Sequence, residues 1–135
     1  MYRFQVPIQM RMSDLDSFNH VNNGVLCNYF DCGRAHYFEA VFGEKIDWLT
    51  MDIVLAHVGL DFKEPILYGE NLVCETRIVE LGNASIKMIQ QLRNADTNRV
   101  KTICSSVLVS FDRETGISRP INPLYRERII AFEEL

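Results

Sequence analysis

Apolar and polar residues alternate at the start of the chain, where Phe4, Val6, Ile8 and Met10 are interleaved with Arg3, Gln5, Gln9 and Arg11. This is the period-two pattern of a strand with one buried face. Pro7 lacks a main-chain donor and marks an edge or a bulge. From Asn22 to Phe42 the period changes. Val25, Leu26, Tyr29, Phe30, Tyr37, Phe38, Val41 and Phe42 recur at three- and four-residue steps, no proline interrupts, and Gly43 stands where a helix C-cap belongs. A helix of this length spans roughly 30 Å. Its apolar positions cover more than a narrow stripe, so other elements must wrap much of it.

The wrapping material follows directly. Met51 to Phe62 has strand composition and runs into the turn-like "KEPILYGE", punctuated by Pro65 and Gly69. Three further strand segments, Asn71 to Leu81, Ser85 to Asn94 and Arg99 to Phe111, are joined by the short turns "GNA" and "ADTN", which suit antiparallel hairpins and a meander. In the last segment Ile103, Val107, Val109 and Phe111 share a face with the small Ser105, and the strand is long enough to curve around a helix. Asn122 can cap, and Pro123 can open, a short amphipathic helix through Glu134. Without repeats, linkers or low-complexity segments, residues 1–135 read as a single α+β domain, one long helix against a curved antiparallel sheet.

Composition narrows the function classes. The chain has 135 residues, 47% of them apolar, enough for a real core. Its 14 Lys and Arg against 18 Asp and Glu are spread without a basic block, which argues against a nucleic-acid partner. No apolar stretch approaches the roughly 20 residues of a membrane span, and the N-terminus lacks a targeting pattern, so a soluble, cytoplasmic protein with no membrane partner is expected. Cys27, Cys32, Cys74 and Cys104 show no CxxC spacing. They read as small packed hydrophobes, with no metal site and no cofactor implied.

The chemistry concentrates in "SDLDSFNHVNNG", Ser13 to Gly24, immediately before the long helix. Short polar side chains there could simply satisfy the open N–H groups of a helix start. A carboxylate just before a helix also meets the positive end of the dipole, which favours the charged form that a nucleophile or general base needs. The open amides of a first helical turn are preplaced donors for a developing oxyanion.

The "D-x-D-x-x-x-H-V-N-N" of Asp14 to Asn23, the "N-Y-F-D-x-x-R" of Asn28 to Arg34 and the "P-x-x-x-G-E" of Pro65 to Glu70 together resemble the hotdog-fold acyl-CoA thioesterases of the 4-hydroxybenzoyl-CoA thioesterase family. The resemblance runs over nearly the whole chain. It implies a hotdog fold, a five-stranded curved antiparallel sheet around one long central helix with a short C-terminal helix. It further implies a homodimer or homotetramer with active sites at subunit interfaces, acting on an acyl-CoA or an acyl-carrier-protein thioester. Asp16 falls in the catalytic position and the backbone amide of Asn23 in that of the oxyanion donor. Gly24 would allow close approach of the substrate, while His20, Asn22 and the Asn23 side chain could orient water or thioester. Asp14 reads as a turn or capping residue, His36 and His57 as structural, and Arg34 as the ion-pair partner of Asp31. Lys63, Arg77, Lys87 and Arg93 are candidate contacts for the CoA phosphates.

Two departures limit what carries over. Plant acyl-carrier-protein thioesterases have an asparagine where this chain has Phe18, and 4-hydroxybenzoyl-type members have bulky residues where it has Asn22 and Asn23. Neither the plant mechanism nor an aromatic acyl preference transfers. Beside thioester hydrolysis stand a hotdog enoyl-CoA hydratase or dehydratase, whose Asp/His motif on the first helical turn is missing, and a non-catalytic acyl-binding hotdog dimer.

Overall fold

The 20-residue helix α1 (Asn23–Phe42) starts and stops where the chain offers caps. Asn22 is extended and its side chain accepts from the Gly24 amide; Gly43 ends the helix at φ 75°, a left-handed conformation that glycine adopts without strain. The computed structural model describes residues 1–135, and around α1 it places strands β1 (Phe4–Pro7), β2 (Ile53–Phe62), β3 (Leu72–Leu81), β4 (Ser85–Asn94) and β5 (Val100–Ser110), followed by helix α2 (Pro123–Glu133). Asn122 caps α2 by accepting from the Leu124 amide, with Pro123 in its first turn. No helix is long and apolar enough to cross a membrane.

The strands form one antiparallel sheet in the order β1-β3-β4-β5-β2. β3, β4 and β5 are the expected meander. β2 does not pair with β3, its successor in the chain, but crosses to the far edge beside β5, so that β1 and β2 are the two edges. Register shifts at Leu55/His57, Ile78/Glu80 and Leu92/Arg93 bend the sheet around the helix, as bulges do. This is the five-stranded hotdog architecture the sequence motifs imply.

The face of β5 turned to α1 is not the one that carries Ile103, Val107 and Val109. Thr102, Cys104, Ser106, Leu108 and Ser110 are buried beneath the helix, while Ile103, Val107 and Val109 lie half-buried on the outer face. The helix supplies the bulk with Tyr29, Phe30, Tyr37, Phe38 and Phe42, all buried, so the strand beneath it must be small.

Two apolar clusters fill the concave side. Tyr37, Phe38, Phe42, Ile78, Ile86, Met88 and Ile129 make one; Leu26, Phe30, Ile66, Leu72, Cys74, Leu92 and Cys104 make the other. Between them lies Gln90, fully buried, whose amide nitrogen donates to the Phe30 carbonyl at 3.1 Å and to Thr76 Oγ1 at 3.0 Å. Its oxygen accepts from Arg34 at 2.8 Å, and Arg34 also pairs with Asp31 at 2.5 Å. Every polar group of Gln90 is thus paired, as burial demands. At the C-terminal end, buried Glu133 accepts from Tyr37 Oη at 2.7 Å and from the Ile78 amide at 2.8 Å, fastening α2 onto the bulge of β3. Burial, and then the Glu133 carboxylate, push the Tyr37 phenol far up. The four cysteines are all free. Burial holds the Cys74 thiol up at about 12, which leaves it an inert packing group, whereas Cys32 is exposed on α1.

Candidate active site

The segment between β1 and α1 doubles back on itself. Leu15 bridges Val21, the Asp16 amide donates to the His20 carbonyl at 2.8 Å, and Asn19 takes φ 61° at the tip. Asp16 organises this turn: its Oδ1 accepts from the Phe18 amide at 2.9 Å and the His20 amide at 3.1 Å. Such an Asx-turn is what the crowd of short polar residues does structurally. Oδ2 of Asp16 accepts no hydrogen bond from the chain, and the residue faces a cavity of about 300 Å³.

That cavity is walled by Asp16, His20, Val21, Asn23 and Leu26 on one side and by Phe62 to Ile66 and Thr102 on the other. The Asn23 amide begins α1 and has no intramolecular acceptor, whereas the amides of Gly24, Val25 and Leu26 are taken by Asn22. The first turn therefore keeps a single free N–H, on a residue that lines the cavity, at the positive end of the dipole. The arrangement can hold an anionic oxygen on that amide and set a carboxylate oxygen against the atom that bears it.

The other expected residues fall as follows. His20 lines the cavity, its side chain has no hydrogen-bond or ion-pair partner, and its main chain bridges Leu67. Asn22 spends its side chain on the cap and does not line the cavity. Gly24 is confined by that cap, since a Cβ there would stand 3.2 Å from Asn22 Oδ1. Asp14 lies outside the cavity and accepts from the Arg11 amide at 3.0 Å and from Tyr29 Oη at 2.5 Å. Burial, reinforced by that carboxylate, pushes the Tyr29 phenol up. Lys63 lines the cavity, is exposed and has no ion-pair partner. Arg77, Lys87 and Arg93 are on the sheet away from the cavity; Lys87 pairs with Glu80 at 2.5 Å and Arg93 with Glu75 at 2.6 Å. His36 is exposed beside Glu39 and His57 is exposed on β2. Sequence reasoning missed Phe62, Ile66 and Thr102 as wall residues, because only the crossing of β2 to β5 and the return of the chain to Val21 bring them there. No group of three or more His, Cys, Asp or Glu side chains is placed to hold a metal ion.

Comparison with known proteins shows the family and the fold. Residues 18–101 match the sequence profile of the Thioesterase superfamily. A thioesterase from Thermus thermophilus, complexed with coenzyme A and Zn, is 31% identical over 99% of this chain and 97% of its own, with a TM-score of 0.87. A predicted thioesterase from Bacillus stearothermophilus is 25% identical over 96% of this chain and 95% of its own, also with a TM-score of 0.87. The DHNA-CoA thioesterase of Staphylococcus aureus, at 16% identity over 97% and 91% of the two chains and a TM-score of 0.85, shares the fold. No match is found among curated protein sequences.

Proposed function

Since the chain belongs to the Thioesterase superfamily and is a thioester hydrolase, we propose that it cleaves an acyl-CoA to the free acid and CoA, with Asp16 as nucleophile or general base and the Asn23 amide as oxyanion donor. One observation carries this reading. Asp16 has one carboxylate oxygen fixed by its own turn and the other free, in a cavity it shares with the one unpartnered amide of the helix start.

The thioester carbonyl accepts from the Asn23 amide, so the negative charge that develops on attack meets a donor already in place. Asp16 Oδ2 either attacks the carbonyl carbon, forming an anhydride that water opens, or takes a proton from the attacking water. Either way the C–S bond breaks: on the first route the sulfur leaves as a thiolate that takes its proton from solvent, and on the second Asp16 hands the proton taken from water to the departing sulfur. The His20 ring, free on the same wall, orients the water or the thioester. Release of free thiol from acyl-CoAs of graded chain length tests the reading directly; no release from any of them, with acyl-CoA still bound, would convert the protein into a binding module.

CoA as the carrier draws support from the Thermus relative in its coenzyme A complex. Lys63 is the cation best placed for the hydrated phosphates, since it alone of the four candidates borders the cavity and is unpaired. Lys63→Glu is expected to raise KM for acyl-CoA about 3- to 10-fold, as when an exposed ion pair worth up to roughly 1 kcal/mol becomes a repulsion. Turnover of short thioesters lacking the nucleotide should stay unchanged. Equal losses with both substrates would remove Lys63 from the CoA site.

The working unit in this proposal is a two-fold dimer joined through β2. That edge strand exposes apolar side chains at both ends, Trp48, Leu49, Val54 and Leu55 near its start and Phe62, Leu67 and Tyr68 near its finish. An antiparallel pairing of β2 with its copy sets one group against the other and removes the open edge. Pairing of such dimers would give the tetramer. A fully active monomer in light scattering at assay concentration would overturn the interface placement of the sites.

A further inference from the structure

We propose that Glu70 and Lys101 are positioning residues for the hydrolysis: their largely buried ion pair sets the 63–70 segment, and that segment holds the Asp16 turn against the cavity. The inference rests on the reading of Asp16 given above. It accounts for the "P-x-x-x-G-E" stretch, whose Gly69 and Glu70 supply no group to the reaction.

The segment leaves β2 at Phe62 and is caught at once, because the amides of Lys63 and Glu64 both donate to the Lys101 carbonyl, at 2.9 and 3.1 Å. It then closes a tight turn in which the Glu70 amide donates to the Leu67 carbonyl at 3.3 Å, with Gly69 at φ 90° in its third position. A type II turn needs a positive φ there, which explains the glycine. The turn folds the Glu70 side chain back on itself. Its Oε2 accepts from the Leu67 amide at 2.6 Å, and its Oε1 accepts from Asn94 at 2.8 Å and lies 2.9 Å from Lys101 Nζ. Lys101 Nζ also donates to the Pro65 carbonyl at 3.4 Å. The two side chains are only 11% and 15% exposed, so screening by water is weak and both oxygens of Glu70 are used. Burial opposes ionisation of Glu70, yet the Asn94, Leu67 and Lys101 donors together hold its carboxyl below the usual range.

The pull is transmitted to the site by main-chain contacts. The Val21 amide donates to the Ile66 carbonyl at 2.8 Å, and His20 bridges Leu67. His20 is the residue whose amide and carbonyl close the Asp16 turn, and Val21 lies two residues before the Asn23 amide. Through these main-chain contacts Glu70 and Lys101, neither of which lines the cavity, set both reacting groups without themselves touching a substrate atom.

Glu70→Gln keeps the shape and removes the charge that pairs with Lys101. It is expected to lower kcat about tenfold, in keeping with the sensitivity of chemistry to small misplacements of a catalytic group. KM for a short acyl-CoA should stay within about twofold, and exchange of the Val21 amide should quicken about tenfold while that of Met88 in the sheet interior does not, the signature of local opening. Lys101→Met should behave like Glu70→Gln, and Lys101→Arg, which keeps the charge, should retain most of the activity. Ile129→Val, in the distant core under α2, serves as a control that loses stability without altering kcat. If Glu70→Gln loses stability like Ile129→Val but keeps wild-type kcat and Val21 exchange, the positioning role is refuted. Asp16→Asn is assayed in parallel: an inactive Asp16→Asn beside a fully active Glu70→Gln removes only the positioning role, whereas a fully active Asp16→Asn overturns both readings.

Discussion

Asp16→Asn is expected to lower kcat by about 10²–10⁴-fold, the range for losing a positioned acid or base, with little change in KM. The structure makes this substitution a clean one. Asn retains the oxygen that accepts from the Phe18 and His20 amides, so the turn, and with it the entry into α1, is preserved. Only the charge on the free Oδ2 side is lost. If the carboxylate merely organised the turn, Asn would replace it at a cost of no more than about 1 kcal/mol in stability, since the two residues serve nearly equally in such roles. Asp14→Asn is the paired control. Asp14 braces Tyr29 and the Arg11 amide outside the cavity, so its loss should appear in stability and leave turnover near normal. Near-normal kcat in a folded Asp16→Asn protein would reduce the polar stretch before α1 to a helix start.

Gly33→Ala should destabilise the protein by about 1–3 kcal/mol, the usual cost of forcing atoms into a filled core. Helix propensity alone points the other way, because replacing a mid-helix glycine by alanine ordinarily stabilises by roughly 1 kcal/mol. The packing decides the sign. A Cβ at Gly33 would stand 2.4 Å from Cys74 Sγ and 2.9 Å from Gln90 Nε2. Neither atom can step aside cheaply: Cys74 is fully buried, and Gln90 is committed to the Phe30 carbonyl, Thr76 and Arg34. Urea unfolding of the two proteins measures the difference, and a more stable Gly33→Ala would mean that α1 does not approach β3 and β4 as closely as described.

Much of the architecture was legible in the amino-acid sequence. Caps at Gly43 and Asn122 announce themselves through the residue types that helix ends require, and α1 ends and α2 begins there, whereas Asn22, expected to orient substrate, proves to be the N-cap of α1. Period-two alternation and short turns marked β1 and the β3–β5 meander, and the Asp14 to Asn23 motif pointed to the stretch that lines the cavity. These signals are local. Each depends on residues within a few positions of one another, where the backbone's own hydrogen-bonding needs restrict the choice of side chain.

What the sequence could not determine involves partners distant in the chain. The long strand β5 carries apolar residues on its odd positions, and by hydropathy that face belongs inside; the structure buries the even one, because Phe30, Phe38 and their neighbours on α1 already supply the bulk and most of the residues facing them, Thr102, Cys104, Ser106 and Ser110, are small. Likewise Arg34 reads locally as the partner of Asp31, and only the fold reveals that it satisfies Gln90 in the polar layer between the two core clusters. Asp16, Asn23 and Lys63 illustrate both halves. The chemistry of each side chain follows from its type, so the sequence by itself determined that short carboxylates and amides crowd at the start of a long helix. Tertiary structure alone decided that the chain returns after β2 to close the cavity over them, since a contact between residues so far apart depends on the competition of all strand pairings at once and leaves no short-range pattern to read.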